Sequence, residues 1–306
     1  MTQRKMADNS GQADIRGLDI DKFAKGFADE DNVFKKFVTV SKTKAREIRW
    51  YQKTSGFLDT STTTGVSKSW INPVAERSRP FVIEQSWTRM TSYVKKFFVE
   101  SPTISAEDIK DTDIDILGGN IRDIVRAVAR KVDLRIFSVL NEADAATPTV
   151  PNPVNVNTAA ATGTGWDDGT NGNPVKDILV GKKKIRQAGY NPEGAIMSMN
   201  SIEHEFLINW LITTKGSSIP GFSSEKVRSG IVMDLLGCNI VVTENQTTDY
   251  VTMWVPMKAA TWKAFMPITS VIINDPGIGK KIRCWEEGEC LLTDPLSVHV
   301  ITDTTT

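Results

Sequence analysis

Apolar residues recur mostly three or four apart from Ile121 through Ile124, Val125, Val128, Val132 and Ile136 to Val139, the spacing of one buried stripe on an α-helix. The remaining positions of that run carry Arg122, Arg126, Arg130, Lys131 and Arg135. The pattern predicts the longest helix of the chain, about 113–141, with Asp111, Asp113 and Asp115 at its positive end. A second helical face, Val175, Ile178, Leu179, Ile185 and Ala188, stops at Gly189 with Asn191-Pro192 beyond. Ala195 to Met199 reads as a short buried strand. Asn200 then caps a helix bearing Ile202, Phe206, Trp210 and Leu211, with Glu203 at the capping-box position.

Period-two alternation dominates elsewhere. Arg49-Trp50-Tyr51-Gln52-Lys53 on one side, and Ser69-Trp70-Ile71-Asn72 with Arg79-Pro80-Phe81-Val82-Ile83-Glu84 on the other, flank a polar stretch from Thr60 to Gly65. This reads as a long hairpin, about 48–85. A two-stranded ribbon is marginal in water, so its aromatic residues need a partner, and the expected partner is another copy of the chain. Strands are expected across 86–100, 239–243 and 250–255, and from 259 to 302. Residues 143–173 and 213–229, rich in small and turn-forming residues, read as loops. Residues 1–17 read as a flexible arm, and Phe23, Phe27, Phe34 and Phe37 suggest one or two short amphipathic helices before Thr43.

With 306 residues the chain can bury a large core. Lys plus Arg and Asp plus Glu both number 37, which argues against a polycation that coats nucleic acid. The balance fails locally: between 35 and 53, seven cations, among them Lys42, Lys44, Arg46 and Arg49, face Glu47 alone. No signal-peptide-like apolar core or 18-residue apolar run occurs, so a soluble, unexported protein without a membrane partner is expected. Cys238, Cys284 and Cys290 form no CxxC pair and read as buried thiols of a reducing compartment.

Catalytic and ligand motifs fail on inspection. Gly277-Ile278-Gly279-Lys280 lacks the phosphate loop's earlier glycine (Asn274) and its following Ser or Thr (Lys281), leaving a strand-connecting turn. Gly163-Thr164-Gly165 follows no strand and lacks a third glycine at the dinucleotide spacing. Asp111, Asp113 and Asp115 alternate like a calcium loop, but Ile116 and Arg122 stand where Gly and Glu are required. His204 and His299 have no metal or triad context. Glu286 and Glu287, adjacent in a strand, point to opposite faces and make a poor acid/base pair. No catalytic residue, cofactor or metal is expected.

The order of these parts resembles the major capsid protein of tailed bacteriophages and related archaeal viruses, the Hong Kong 97-type fold. It covers about Asn32 to Thr302. The local runs that carry it are Val175-Lys176-Asp177-Ile178-Leu179, then Ala188-Gly189-Tyr190-Asn191-Pro192, Ala195-Ile196-Met197-Ser198-Met199 and the closing Thr293-Asp294-Pro295-Leu296-Ser297-Val298. The resemblance implies an α+β chain with an N-terminal arm (1–47), an extended hairpin loop (48–85), a peripheral domain with the spine helix (86–142 and 257–306) and an axial α/β domain (143–256). It implies that the hairpin lies over an adjacent subunit, making Trp50, Phe57, Asp59, Thr62, Lys68 and Trp70 intersubunit contacts, and that Lys42, Lys44, Arg46 and Arg49 form a basic segment serving neighbours as much as DNA. Copies would form hexamers and pentamers of an icosahedral head assembled in the host cytoplasm, with portal and scaffolding proteins, a cement or decoration protein, and double-stranded DNA held by weak non-specific contact. Some members crosslink a hairpin lysine to an asparagine. Lys53 and Lys68 offer the amine, but Asn274 is the only asparagine after 256, so noncovalent contacts are expected. With about 50 residues ahead of the hairpin, a separate scaffold is expected rather than a fused one. The alternatives are an encapsulin-like nanocompartment, in which the Phe23 to Phe37 region would bind cargo protein, and a carboxylate-dependent cytosolic hydrolase.

Overall fold

A computed structural model of the chain describes residues 33–53, 58–59, 66–67, 75–79, 87–111, 116–144, 146–213 and 234–305. It is a mixed α+β structure built on two sheets that share one long helix. After a 3₁₀ turn at Phe34–Phe37 come β1 (Thr39–Lys42), β2 (Glu47–Lys53), the short β3 (Leu58–Asp59) and β4 (Val66–Ser67), β5 (Trp87–Tyr93), β6 (Lys95–Glu100) and β7 (Ile104–Ser105). Helices α1 (Ala106–Asp111) and α2 (Ile116–Leu140) follow. The next segment holds β8 (Asn157–Ala160), α3 (Pro174–Gln187), β9 (Ile196–Met199), α4 (Ser201–Thr213), β10 (Asp234–Leu235), β11 (Cys238–Val242) and β12 (Tyr250–Trp254). Long strands β13 (Ala260–Asp275) and β14 (Gly279–Leu292) precede the closing β15 (Val298–Thr302).

The five-stranded sheet runs β1-β13-β14-β6, with β7 also on β14; the six-stranded sheet runs β10-β11-β9-β12-β15-β8. Helix α2 joins them because its apolar stripe is longer than either sheet needs. Its first half buries Ile121, Val125, Val128 and Ala129 on Ile268, Ile282 and Cys284 of the five-stranded sheet. Its second half buries Val132, Ile136, Phe137 and Leu140 among Trp262, Cys290 and Leu292 of that sheet and Ile196, Trp254, Val298 and Val300 of the other. The opposite face of the six-stranded sheet packs on α3 and α4 through Ile178, Ile185, Leu207, Trp210 and Leu211.

Local signals explain the ends of these elements. Asn173 caps α3 by accepting from the Lys176 amide at 3.1 Å, with Pro174 as the first helical residue. Gly189 closes it at φ +91°. Asn200 Oδ1 accepts from the Ile202 amide at 3.3 Å to start α4. Gly277 and Gly279 form the β13–β14 turn rather than a phosphate loop, and a Cβ on Gly279 would lie 2.0 Å from the Ile104 carbonyl oxygen of β7.

Two sequence expectations are corrected, and two others fall partly outside the described residues. Helix α2 is described from Ile116 and Asp111 is the last residue of α1, while 112–115 lie outside the described residues. Among the described residues β2 pairs antiparallel with β5, Glu47 opposite Tyr93 and Lys53 opposite Trp87, and β3 runs parallel to β4; of the expected return strand 69–84, residues 75–79 are no strand and the rest lies outside the described residues. The supposed loop 143–173 holds β8, which pairs parallel with β15. Strand β15, expected among the peripheral strands, belongs to the six-stranded sheet. Val298 through Ile301 is buried at every position, and such a strand needs a helix layer on both faces, which α2 and α3 supply only there.

Candidate functional site

The β2–β5 ribbon is the outstanding surface. Its cross-strand pairs sort its side chains onto two faces. Ile48, Trp50 and Gln52 share the inner face: Ile48 is buried, and the Trp50 indole and the Gln52 amide donate to the Leu292 carbonyl at 3.2 and 2.7 Å. The outer face pairs Glu47 with Tyr93, Arg49 with Thr91 and Tyr51 with Arg89, next to Trp87. Tyr51, Trp87 and Tyr93 are 61%, 55% and 65% exposed, far from the burial such side chains normally find.

Trp50, read from the sequence as an intersubunit contact, is therefore occupied within its own chain. Asp59 lies in β3, with its backbone opposite Ser67. Phe57, Thr62, Lys68 and Trp70 lie outside the described residues. Sequence reading missed Tyr51, Trp87 and Tyr93. The signal that separates Tyr51 from Trp50 is strand parity, and it becomes usable only once β5 is known to be the partner. The four residues of the basic segment differ in their surroundings. Lys42 and Lys44 are exposed, Arg46 reaches back to Glu287 at 3.9 Å over the Phe265 ring, and Arg49 bonds Glu47 at 2.6 Å, a carboxylate that raises the Arg49 pKa.

Beneath the ribbon lies a buried charge cluster that sequence alternation did not anticipate. Glu286, Glu287 and Glu289 are all buried on β14, although strand parity would expose one set. Each is met by cations from a different part of the chain: Lys35 of the 3₁₀ turn at 2.5 Å from Glu286, Lys96 and Arg46 at 3.6 and 3.9 Å from Glu287, and Arg135 of α2 on Glu289. One oxygen of each carboxylate is left without a hydrogen bond. Asp133, fully buried on α2, accepts the Val33, Phe34 and Lys35 amides at 2.5, 3.2 and 3.2 Å. Burial pushes its pKa up to about 6 against those hydrogen bonds. Phe34 fills the remaining space, its ring 5.9 Å from Phe137 and 5.7 Å from Trp254. The cluster fastens the chain before the ribbon, the ribbon's base and α2 onto one strand.

Among the described residues no three His, Cys, Asp or Glu side chains converge as a metal would require. His299 is buried without a partner on either ring nitrogen, and burial lowers its pKa to about 4. The three cysteines are free and buried, and burial raises the Cys238 and Cys290 thiols. No helix among the described residues is long and apolar enough to cross a membrane.

No protein-family model and no curated protein matches the chain. Solved structures do. The capsid of cyanophage P-SCSP1u superposes with a TM-score of 0.63 at 10% identity, covering 89% of this chain and 88% of that one. The chain has the fold of a phage capsid subunit. A Mycobacterium phage Che8 structure gives a TM-score of 0.62 at 16% identity over 90% and 92% of the two chains. A virus-like particle from Pyrococcus furiosus gives 0.60 at 8% identity over 94% and 99%. The resemblance read from the sequence holds for this capsid fold across nearly the whole chain, at identities where fold alone is shared.

Proposed function

We propose that the chain is a shell-forming structural protein, a major capsid protein whose copies assemble through the ribbon into hexamers and pentamers of an icosahedral head. The observation that carries this reading is the ribbon's outer face. Tyr, Trp and Arg are the residue types that dominate binding energy at protein interfaces, and here Tyr51, Trp87, Tyr93, Arg49 and Arg89 stand together in solvent on a ribbon two strands wide. In this reading the five-stranded sheet with α2 is the peripheral part and the six-stranded sheet with α3 and α4 the axial part, directed at the symmetry centres. Phe57, Asp59, Thr62, Lys68 and Trp70 would extend the contact toward the neighbour. Double-stranded DNA would be the content, with portal, scaffolding and decoration proteins as partners in a virion assembled in the host cytoplasm.

The nanocompartment alternative loses part of its support, because Phe34 is spent inside the chain's own core and Phe37 packs on Trp254. A hydrolase finds no free carboxylate pair in the β14 cluster, where each glutamate is ion-paired. The test is negative-stain imaging of the expressed chain with a nuclease-protection assay, alongside Tyr51→Ser/Trp87→Ser. Closed shells from the parent and soluble, folded, unassembled subunits from the variant are expected. Small protein-filled shells from host cells would favour the nanocompartment, normal assembly of the variant refutes the ribbon's role, and absence of any particle from the parent refutes the self-assembly reading.

A further inference from the structure

Helix α4 carries apolar residues on more than one side, a pattern that belongs to a helix covered beyond its core face, yet part of it is exposed. Leu207, Trp210 and Leu211 point into the core, whereas Ile202 and Ile212 are 42% and 39% exposed. Between them runs a groove of 380 Å³ lined by Ser201, His204, Glu205, Ile208, Asn209 and Ile212. Helix α3, on the same side of the six-stranded sheet, presents the opposite relief. Leu179 is 50% exposed and stands between exposed Lys176 and Lys183. Lys176, Leu179, Lys183 and Arg186 follow one stripe of about 15 Å, the same length as Ile202 to Ile212 on α4.

Resting on the self-assembly reading above, we propose that the open face of α4 receives the outer face of α3 from a second copy. Leu179 enters the groove beside Ile208 and Ile212, and the two lysines, about 10 Å apart along the axis, straddle Glu205. An apolar residue flanked by cations matches a groove that offers Ile208 and Ile212 beside a carboxylate. The contact joins two different faces, so it is head-to-tail, the kind that builds rings. The ribbon plays no part in it.

Three full-length variants test it by particle yield on a density gradient and by urea denaturation of unassembled subunits. Leu179→Asp and Glu205→Arg are each expected to cut particle yield at least tenfold with an unchanged urea midpoint. Combining Glu205→Arg with Lys176→Glu and Lys183→Glu is expected to restore it, because the pairing is rebuilt with its signs exchanged. Normal particles from both single variants overturn the proposal while leaving self-assembly intact. So does a lowered urea midpoint for Leu179→Asp, since that face would then be covered by its own chain. Failure of the unmodified chain to form particles removes the underlying reading instead.

Discussion

Asp133→Ala should be destabilising at pH 7, and more destabilising at pH 4. Three amides, Val33, Phe34 and Lys35, lose their acceptor in a site where Phe34 and Asp133 are fully buried, and hydrogen bonds to a charged group contribute about 1.5 to 3 kcal/mol each. Against that, the variant no longer buries a charge. The rise of the Asp133 pKa from its ordinary 3.8 to about 6 corresponds to about 3 kcal/mol. That rise is already the net of burial against these same three hydrogen bonds, so the loss at pH 7 rests on the three buried amides left without an acceptor, about 1 to 3 kcal/mol each. A carboxyl whose folded pKa is raised contributes stability that is complete below its unfolded pKa and is lost as pH rises through the folded value. The gap between parent and variant should therefore widen by up to about 3 kcal/mol as pH falls from about 7 to about 4. An ordinary salt-bridged aspartate does the reverse. Urea titrations of unassembled subunits at four pH values, followed by fluorescence of the core tryptophans Trp254 and Trp262, measure it. A difference under about 0.5 kcal/mol at pH 7, well below the worth of even one such hydrogen bond, or a gap that narrows on acidification, refutes the argument.

His299 carries the opposite sign: its folded pKa of about 4 lies below the ordinary 6.5, so stability present above 6.5 should be lost as pH falls toward 4. Relative to His299→Leu, the parent should lose up to about 3 kcal/mol over that window; parallel pH profiles in the same titrations would disprove this. Gly288→Ala should cost about 1 to 3 kcal/mol, because its Cβ would meet Trp262 Cζ2 at 2.4 Å and the Lys263 carbonyl oxygen at 2.9 Å. Gly169→Ala, with nothing within 4 Å, is the control, and equal melting temperatures would contradict the packing. Val132→Asp places a carboxylate at a fully buried position of α2 and should prevent folding, since several kcal/mol is comparable with a domain's whole stability. Soluble, monodisperse protein from this variant would show that the stripe is not core.

What the sequence determined by itself is what local periodicity and punctuation encode. The stripe from Ile121 to Val139 dictates a helix because each apolar residue returns to one side every turn. Gly189, Asn191-Pro192 and Asn200 bound the run α3, β9, α4 because backbone conformation and capping act over a few residues. The turn at Gly277 to Lys280 was legible for the same reason. Tertiary structure alone decided which strands meet. Nothing local to Trp87–Tyr93 states that it pairs with Glu47–Lys53, and that pairing turned Trp50 inward and left Tyr51, Trp87 and Tyr93 outside. Nothing local to Val298–Thr302 assigns it to the six-stranded sheet. The burial of Glu286, Glu287, Glu289 and Asp133 was not legible in sequence because burial of an ion depends on partners 98 to 251 residues away, brought close only by the packed fold.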